Sequence, residues 1–219
     1  MGVKNENILV TADPVYTVRP GTRDEGALAL SARYVPADRP LVGVSVRFAA
    51  GMETNTAEFA AFCDRVSERA AVVFIDMQCP EDEQAAAAVR ALMKNPSWEI
   101  SAPYEPQTMM DMLECMDAVV STRLHSIIFA ACVGTPVLGV VYDPKVEACL
   151  RSLGMPSAGT LDGFDAGRAA HSLFDVLSRR GEYAETLRAA AERLRNAAEE
   201  NERQLALLLG CGEEEECRF

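Results

Sequence analysis

Short, unbroken apolar runs alternate along this chain with longer stretches in which apolar residues recur at a helical period. Leu41 to Val46, Ala71 to Ile75, Ala118 to Ser121 and Val137 to Val141 are rich in valine and carry almost no charge. That is the form of strands buried on both faces. Trp98 to Ser101 is a weaker run of the same kind. Between them, Thr56 to Ala70 sets Phe59, Phe62, Cys63 and Val66 on one helical face. Glu81 to Met93 is alanine-rich, with acidic residues at its start where the helix dipole favours them. Gln107 to Cys115 turns Met109, Met112 and Leu113 inward, with Met116 following. Asp165 to Ser178 and Glu182 to Leu209 read as two more helices. The second is heavily charged but keeps a stripe of Leu187, Ala191, Leu194, Ala198 and Leu205, so it is expected to pack back across the domain. The alternation predicts an α/β fold: a Rossmann-like, mostly parallel sheet with helices on both faces.

Punctuation sharpens the boundaries. Ile8 to Ala12 reads as an entry strand ending at Asp13-Pro14. Residues 14–40 hold Pro14, Pro20, Gly21, Gly26, Pro36 and Pro40 with no clean period, which predicts an irregular connection with a short helix near Ala27 to Ala32. Gly51 to Thr56 reads as a loop. Ser121 or Thr122 can cap a helix that runs to Cys132 or Val133 and stops at Gly134, with Pro136 beyond. Asp143-Pro144 has the form of an N-cap followed by proline at the first helical position, opening a helix to about Leu153. Gly154 to Gly163 is turn-rich with room for one short strand. Residues 1–209 are thus expected to form a single domain, with the irregular connection at 14–40 and C-terminal helices at 165–209. Residues 210–219, with four consecutive glutamates, are expected to be a solvated acidic tail.

A formal charge of −12 argues against nucleic acid or an anionic membrane surface as the main partner. The seven cysteines show no CxxC pair or zinc-type spacing, which fits reduced thiols in a cytoplasmic protein. The first residues do not show the charged-then-apolar pattern of a signal sequence, so none is expected. No apolar run approaches the roughly 20 residues a transmembrane helix needs. The acidic residues are spread without clustered ligand spacing, so neither a metal nor a cofactor is expected.

Against this acidic background, Arg47, Gln78, Arg123 and Lys145 each follow the end of a predicted strand, and His125 lies two residues beyond Arg123. In a parallel sheet these positions share one rim, the rim where open α/β sheets bind ligands, and helix N-termini there favour anions. An anion pocket is the site this spacing predicts. On a regular helix, residues two apart point about 200° from each other. Arg123 and His125 can therefore face one ligand only if Arg123 lies in the turn before the helix. His171, within a predicted surface helix, reads as structural.

The same residues carry a family resemblance. Arg123-Leu124-His125-Ser126-Ile127-Ile128-Phe129-Ala130-Ala131, then Gly134-Thr135-Pro136-Val137 and Tyr142-Asp143-Pro144-Lys145-Val146, resemble the signature of the polysaccharide pyruvyl transferases, particularly the bacterial cell-wall branch. The strand ending in Arg47, the pair Gln78 and Asp82, and Thr11-Ala12-Asp13-Pro14 resemble further family segments in the same order, over about residues 8–155. Members are similar to two-domain glycosyltransferases of the GT-B type, and the chain resembles their C-terminal domain alone. The resemblance implies an enzyme that moves pyruvate from phosphoenolpyruvate, as donor substrate, onto two hydroxyls of a saccharide acceptor that can be lipid-linked. It also implies a missing N-terminal domain that supplies part of the acceptor cleft, and work at the inner face of a membrane. Arg47 and Arg123 are then expected to bind the donor's carboxylate and phosphate, assisted by Lys145, Gln78 and the two helix N-termini. His125 is expected to act as acid, with Arg123, in catalysis. Two other readings stay open at this point: a nucleotide-sugar glycosyltransferase domain, and a non-catalytic anion-binding module.

Overall fold

The computed structural model describes residues 8–33, 35–36, 38–47, 52–101 and 104–210. Six strands form one sheet: β1 (Leu41–Ser45), β2 (Ala71–Ile75), β3 (Trp98–Ile100), β4 (Ala118–Ser121), β5 (Val137–Val141) and β6 (Ser157–Thr160). Their order is β3-β2-β1-β4-β5-β6, and every pairing is parallel. The first three strands wind outward in one direction, and the chain then crosses back so that β4 joins the other side of β1. The strand order therefore reverses between β1 and β4. Crevices of this kind are where doubly wound sheets bind ligands.

Helices cover both faces, as the unbroken apolar strands require. On one side lie α2 (Met52–Ser67), α3 (Glu81–Arg90) and α7 (Ala166–Ser178), closing a core around Phe59, Phe62, Phe74 and Leu173. On the other lie α1 (Arg23–Ser31), α4 (Pro106–Glu114), α5 (Leu124–Val133), α6 (Pro144–Leu153) and α8 (Arg180–Leu209), around Met110, Leu113, Ile127 and Leu187. The residues of β1, β2 and β4 are buried throughout, which is why these strands show no alternation of apolar and polar positions.

Register makes the carboxyl rim flush. Ser45 pairs with Ser121, and Ser121 with Gly139. Arg47 and Arg123, each two residues past a paired serine, therefore leave the sheet side by side at the switch point. Past β5, Asp143 caps α6 by accepting from Lys145 N at 2.9 Å, with Pro144 at the first helical position. Gly134 and Gly154 end α5 and α6 in left-handed conformations.

Several expectations change. Residues 8–12 are not a strand: they pair with nothing in the sheet, and Ile8, Leu9 and Val10 are exposed. This segment is tied instead to the far end of α8, where Thr11 Oγ1 meets Asn201 Oδ1 at 2.7 Å and Asn201 Nδ2 donates to Ala12 O at 3.0 Å. The 14–40 connection contains a 3-10 turn at Pro14–Thr17 and α1, which starts four residues before the expected Ala27. A reciprocal capping box between Thr22 and Glu25 sets that start. α2 begins at Met52, inside the expected loop. α8 does pack back across the domain, but Leu205 lies outside its buried stripe and is exposed. His171 is exposed on α7. The acidic tail beyond Gly210 lies outside the described residues.

Candidate functional site

The end of β1, the β2–α3 loop, the β4–α5 turn and the β5–α6 turn enclose a cavity of about 680 Å³ at the carboxyl rim, completed by the start of α4. Arg47, Gln78, Arg123, His125 and Lys145 all line it, together with Asp76 and Tyr142. Tyr104, Met109 and Phe129 make its apolar wall. A volume in the range of roughly 300–1,000 Å³ suits a small organic ligand.

Arg123 lies in the non-helical turn that shared access with His125 requires. It is itself the N-cap of α5, with extended backbone, rather than Ser121 or Thr122. The Ser121 hydroxyl shapes the turn by accepting from Arg123 N and donating to Arg123 O, both at 2.9 Å. No side chain caps α5, so its first N–H groups, at the mouth of the cavity, stay open to an anion. The N-terminus of α6 differs, because the Asp143 carboxylate already occupies it. Only one of the two helix starts is therefore free to add positive potential.

The two arginines are held in different ways. Arg123 is largely buried, with 13% of its side chain exposed, and Asp82, fully buried, grips it. Nε donates to both Asp82 oxygens at 2.9 and 3.0 Å, and Nη2 also pairs with Asp82. Asp82 further accepts from Met77 N and Gln78 N at 3.0 Å, so one carboxylate ties the β2–α3 loop to the β4–α5 turn. Nη1 donates to Gln78 Oε1 at 3.1 Å. Much of the Arg123 charge is thus neutralised from behind. Arg47 is freer. Its guanidinium lies over the Tyr142 ring at 5.2 Å and Nη1 donates to the Tyr142 hydroxyl at 3.1 Å, while Nε–H is buried with no partner. A buried guanidinium N–H without an acceptor costs free energy that an anion in the cavity would recover.

His125 is 58% exposed, and its Nε2 lies 4.0 Å from Asp13 Oδ2. Asp13 also caps the 3-10 turn by accepting from Val15 N. Lys145, on the first turn of α6, is exposed at the opposite edge.

Reading the strand ends for cations missed Asp76 and Tyr142, although each follows directly on a strand. Asp76 is 4% exposed and its Oδ2 has no hydrogen-bond partner. Burial, then Glu99, Asp82 and Glu83, push its carboxyl up to about 7 against the opposing pull of Arg90. That Tyr104 and Phe129 form part of the wall was not legible in the sequence, because their place there depends on how the start of α4 and α5 pack. No group of three His, Cys, Asp or Glu side chains able to hold a metal occurs among the described residues. Among those residues, too, no helix is long and apolar enough to cross a membrane.

Residues 1–144 match the family model for polysaccharide pyruvyl transferase. No curated protein sequence matches the chain. Among solved structures, the chain is similar to the Staphylococcus aureus MnaA–UDP complex, with TM-score 0.67 and 11% identity over 100% of this chain and 59% of that one. It is also similar to Anabaena HepE in complex with UDP-glucose (TM-score 0.61, 13% identity, 90% and 54% covered). A third similar structure is sucrose-phosphate synthase from Thermosynechococcus elongatus (0.60, 13%, 92% and 52%). The chain spans about half the length of each of these structures. At such identities the likeness establishes the fold, a Rossmann-like domain of the GT-B glycosyltransferase kind.

Proposed function

The chain belongs to the polysaccharide pyruvyl transferase family, and from that premise we propose that its rim cavity binds phosphoenolpyruvate as donor, for transfer of pyruvate to a saccharide as a cyclic ketal. The observation that carries this reading is the convergence of Arg47, Arg123, His125 and Lys145 on one cavity beside the uncapped start of α5, in a chain of net charge −12. In this reading Arg47 is the principal anion hook, since its Nε–H has no protein acceptor. Arg123, clamped by Asp82, offers the edge it shares with Gln78.

His125 serves as the acid. Its proton goes to the enol methylene carbon as a sugar hydroxyl oxygen bonds to the adjacent carbon. The C–O bond to phosphate then breaks, and a second hydroxyl closes the ketal. Of the two hydroxyl protons, one restores the acid and the other leaves with phosphate. The acceptor's remaining contacts belong to a second domain, and a lipid-linked acceptor would bring the protein to a membrane face.

Titration calorimetry with phosphoenolpyruvate tests the donor reading. Arg47→Ala should weaken binding by roughly 10- to 100-fold, the worth of about 1.5–3 kcal/mol for a hydrogen bond to a charged group. His125→Ala should leave affinity within a few fold. In an assembly that includes the acceptor-binding domain, the same change should cost about 10²–10⁴ in rate. Wild-type affinity in Arg47→Ala would remove that residue from the donor site. The rival reading, a nucleotide-sugar site, draws on two similar structures, which are complexes with UDP and with UDP-glucose. Thermal shift separates the two: phosphoenolpyruvate should raise the melting temperature and UDP-glucose should not.

A further inference from the structure

Three carboxyl groups meet where β2 runs into α3, and two of them are already engaged. Asp82 is consumed by Arg123 and two backbone N–H groups. Glu99, on β3, is paired through one oxygen with Arg90, while its Oε1 is buried without a partner and, unlike Asp76, Glu99 does not line the cavity. Asp76 remains. Its backbone N–H donates to Ile100 O at 3.1 Å, extending the sheet by one residue and holding the side chain at the strand end. The residue lines the cavity, is almost wholly buried, and carries a buried Oδ2 that no protein group satisfies.

A buried carboxyl oxygen without a donor can complete itself in two ways: take a hydrogen bond from a ligand, or carry a proton and give one. Its surroundings decide between these. Glu99 faces it from β3, Asp82 and Glu83 from α3, and Cys79 from the intervening loop, with Arg90 the opposing charge on that side. An anion arriving among Arg47, Arg123, His125 and Lys145 adds further negative charge to the same cavity. We infer that Asp76 is a ligand-contacting residue that engages the bound anion in its protonated form, donating its carboxyl proton to an anion oxygen, so that donor binding draws a proton into the cavity.

This inference rests on the donor reading and extends it. Free Asp76 is already held up to about 7, and an anion beside it raises that value further. Affinity should therefore fall as pH rises above neutrality, by up to about tenfold per pH unit for one linked proton. The effect adds to whatever the ligand's own phosphate contributes.

The test is titration calorimetry with phosphoenolpyruvate from pH 6.0 to 8.5, in buffers of different ionisation enthalpy, on wild type and Asp76→Asn. The asparagine keeps a donor at that position and cannot titrate. Wild type should take up a substantial fraction of a proton near pH 7.5 beyond that seen in the variant. At pH 8.5 Asp76→Asn should bind more tightly than wild type, by roughly tenfold, whereas a merely structural role predicts equal or weaker binding. Proton uptake unchanged by the substitution, or equal or weaker binding by the variant at pH 8.5, overturns the inference and leaves the donor reading standing. Absence of phosphoenolpyruvate binding by wild type overturns both. A carbon-detected carboxyl titration of the wild-type protein gives the same answer without a variant: the Asp76 midpoint should move upward when phosphoenolpyruvate is added, and a fixed or lowered midpoint is contrary.

Discussion

Asp76 and Asp82 lie six residues apart, one at the end of β2 and the other in the first turn of α3, and their opposite environments define the site. Asp82 is a buried charge with every lone pair directed at a donor, so removing it would strand the Arg123 guanidinium. Asp76 is a buried carboxyl among other carboxyls, and ionising it costs free energy. The pH dependence follows from that. Between the ordinary carboxylate range and about 7 the folded protein holds a proton on Asp76 that the unfolded chain has already lost. Stability contributed by this group is therefore full at low pH and declines as pH rises through that window. Asp76→Asn should raise the melting temperature at pH 8 by an amount equivalent to about 2–4 kcal/mol, since the variant has no carboxyl to ionise in that buried position. Below pH 4 the gain should vanish. Thermal scans of both proteins across pH 4 to 8 check this, and a constant difference at all pH values would contradict it. The cysteines behave differently. Burial pushes Cys132 up to about 11, and Cys63, wholly buried, is also raised, so neither is poised as a nucleophile.

At the scale of elements, the site is held by short connections, each with its own local determinant: the Ser121 turn before α5, the Asp143 cap on α6, the Asp82 clamp behind the β2–α3 loop. The Thr22–Glu25 capping box starts α1 in the same way. That helix packs across α4, one wall of the cavity, and at Gly26 the α4 backbone leaves no room for a side chain. A Cβ there would meet the Asp111 carbonyl oxygen at 2.1 Å. Gly26→Ala should therefore force the two helices apart and destabilise by about 1–3 kcal/mol, despite alanine's better helix propensity. Chemical denaturation measures this, and a stabilised variant would show that α1 packs elsewhere. The capping box was legible in the sequence as a Thr-x-x-Glu pattern, and the irregular proline and glycine spacing around it obscured the reading. Strand and helix assignments from Asp117 to Lys145 agreed closely with the structure, because apolar runs, a C-terminal glycine and an Asp-Pro start act locally. Residues 8–12 misled for the converse reason. Ile8, Leu9 and Val10 stay exposed, and what holds the segment is a pair of hydrogen bonds joining Thr11 and Ala12 to Asn201, a partner some 190 positions away that no local pattern reveals.

Over the whole molecule, the first described residues and the last helix close on each other beside the site. Asn201, near the end of α8, holds Thr11 and Ala12, and Asp13, the next residue, stands beside His125. Asn201→Ala should lower the melting temperature by roughly 2–4 °C, the equivalent of about 1 kcal/mol in a chain of this size. Phosphoenolpyruvate affinity should stay within about threefold, since the clamp reaches the cavity at second hand, through Asp13 beside His125. A larger loss of affinity would make α8 a working part of the site. The single sheet with its reversal between β1 and β4 also explains why residues from 47 to 145 converge: parallel strands in flush register bring every β-to-α connection to one edge.

What the chain determined by itself was therefore the set of elements, their parallel arrangement and the rim on which its cations collect. Each of these follows from periodicity and from residues within a turn of one another. Tertiary structure alone decided which of those groups remain available to a ligand. Whether a guanidinium is spent on a buried carboxylate, as Arg123 is, or keeps an unpaired N–H, as Arg47 does, depends on neighbours about 40 to 95 positions away. So does the fate of Asp76, whose burial and acidic company come from a strand and a helix that its local sequence does not specify.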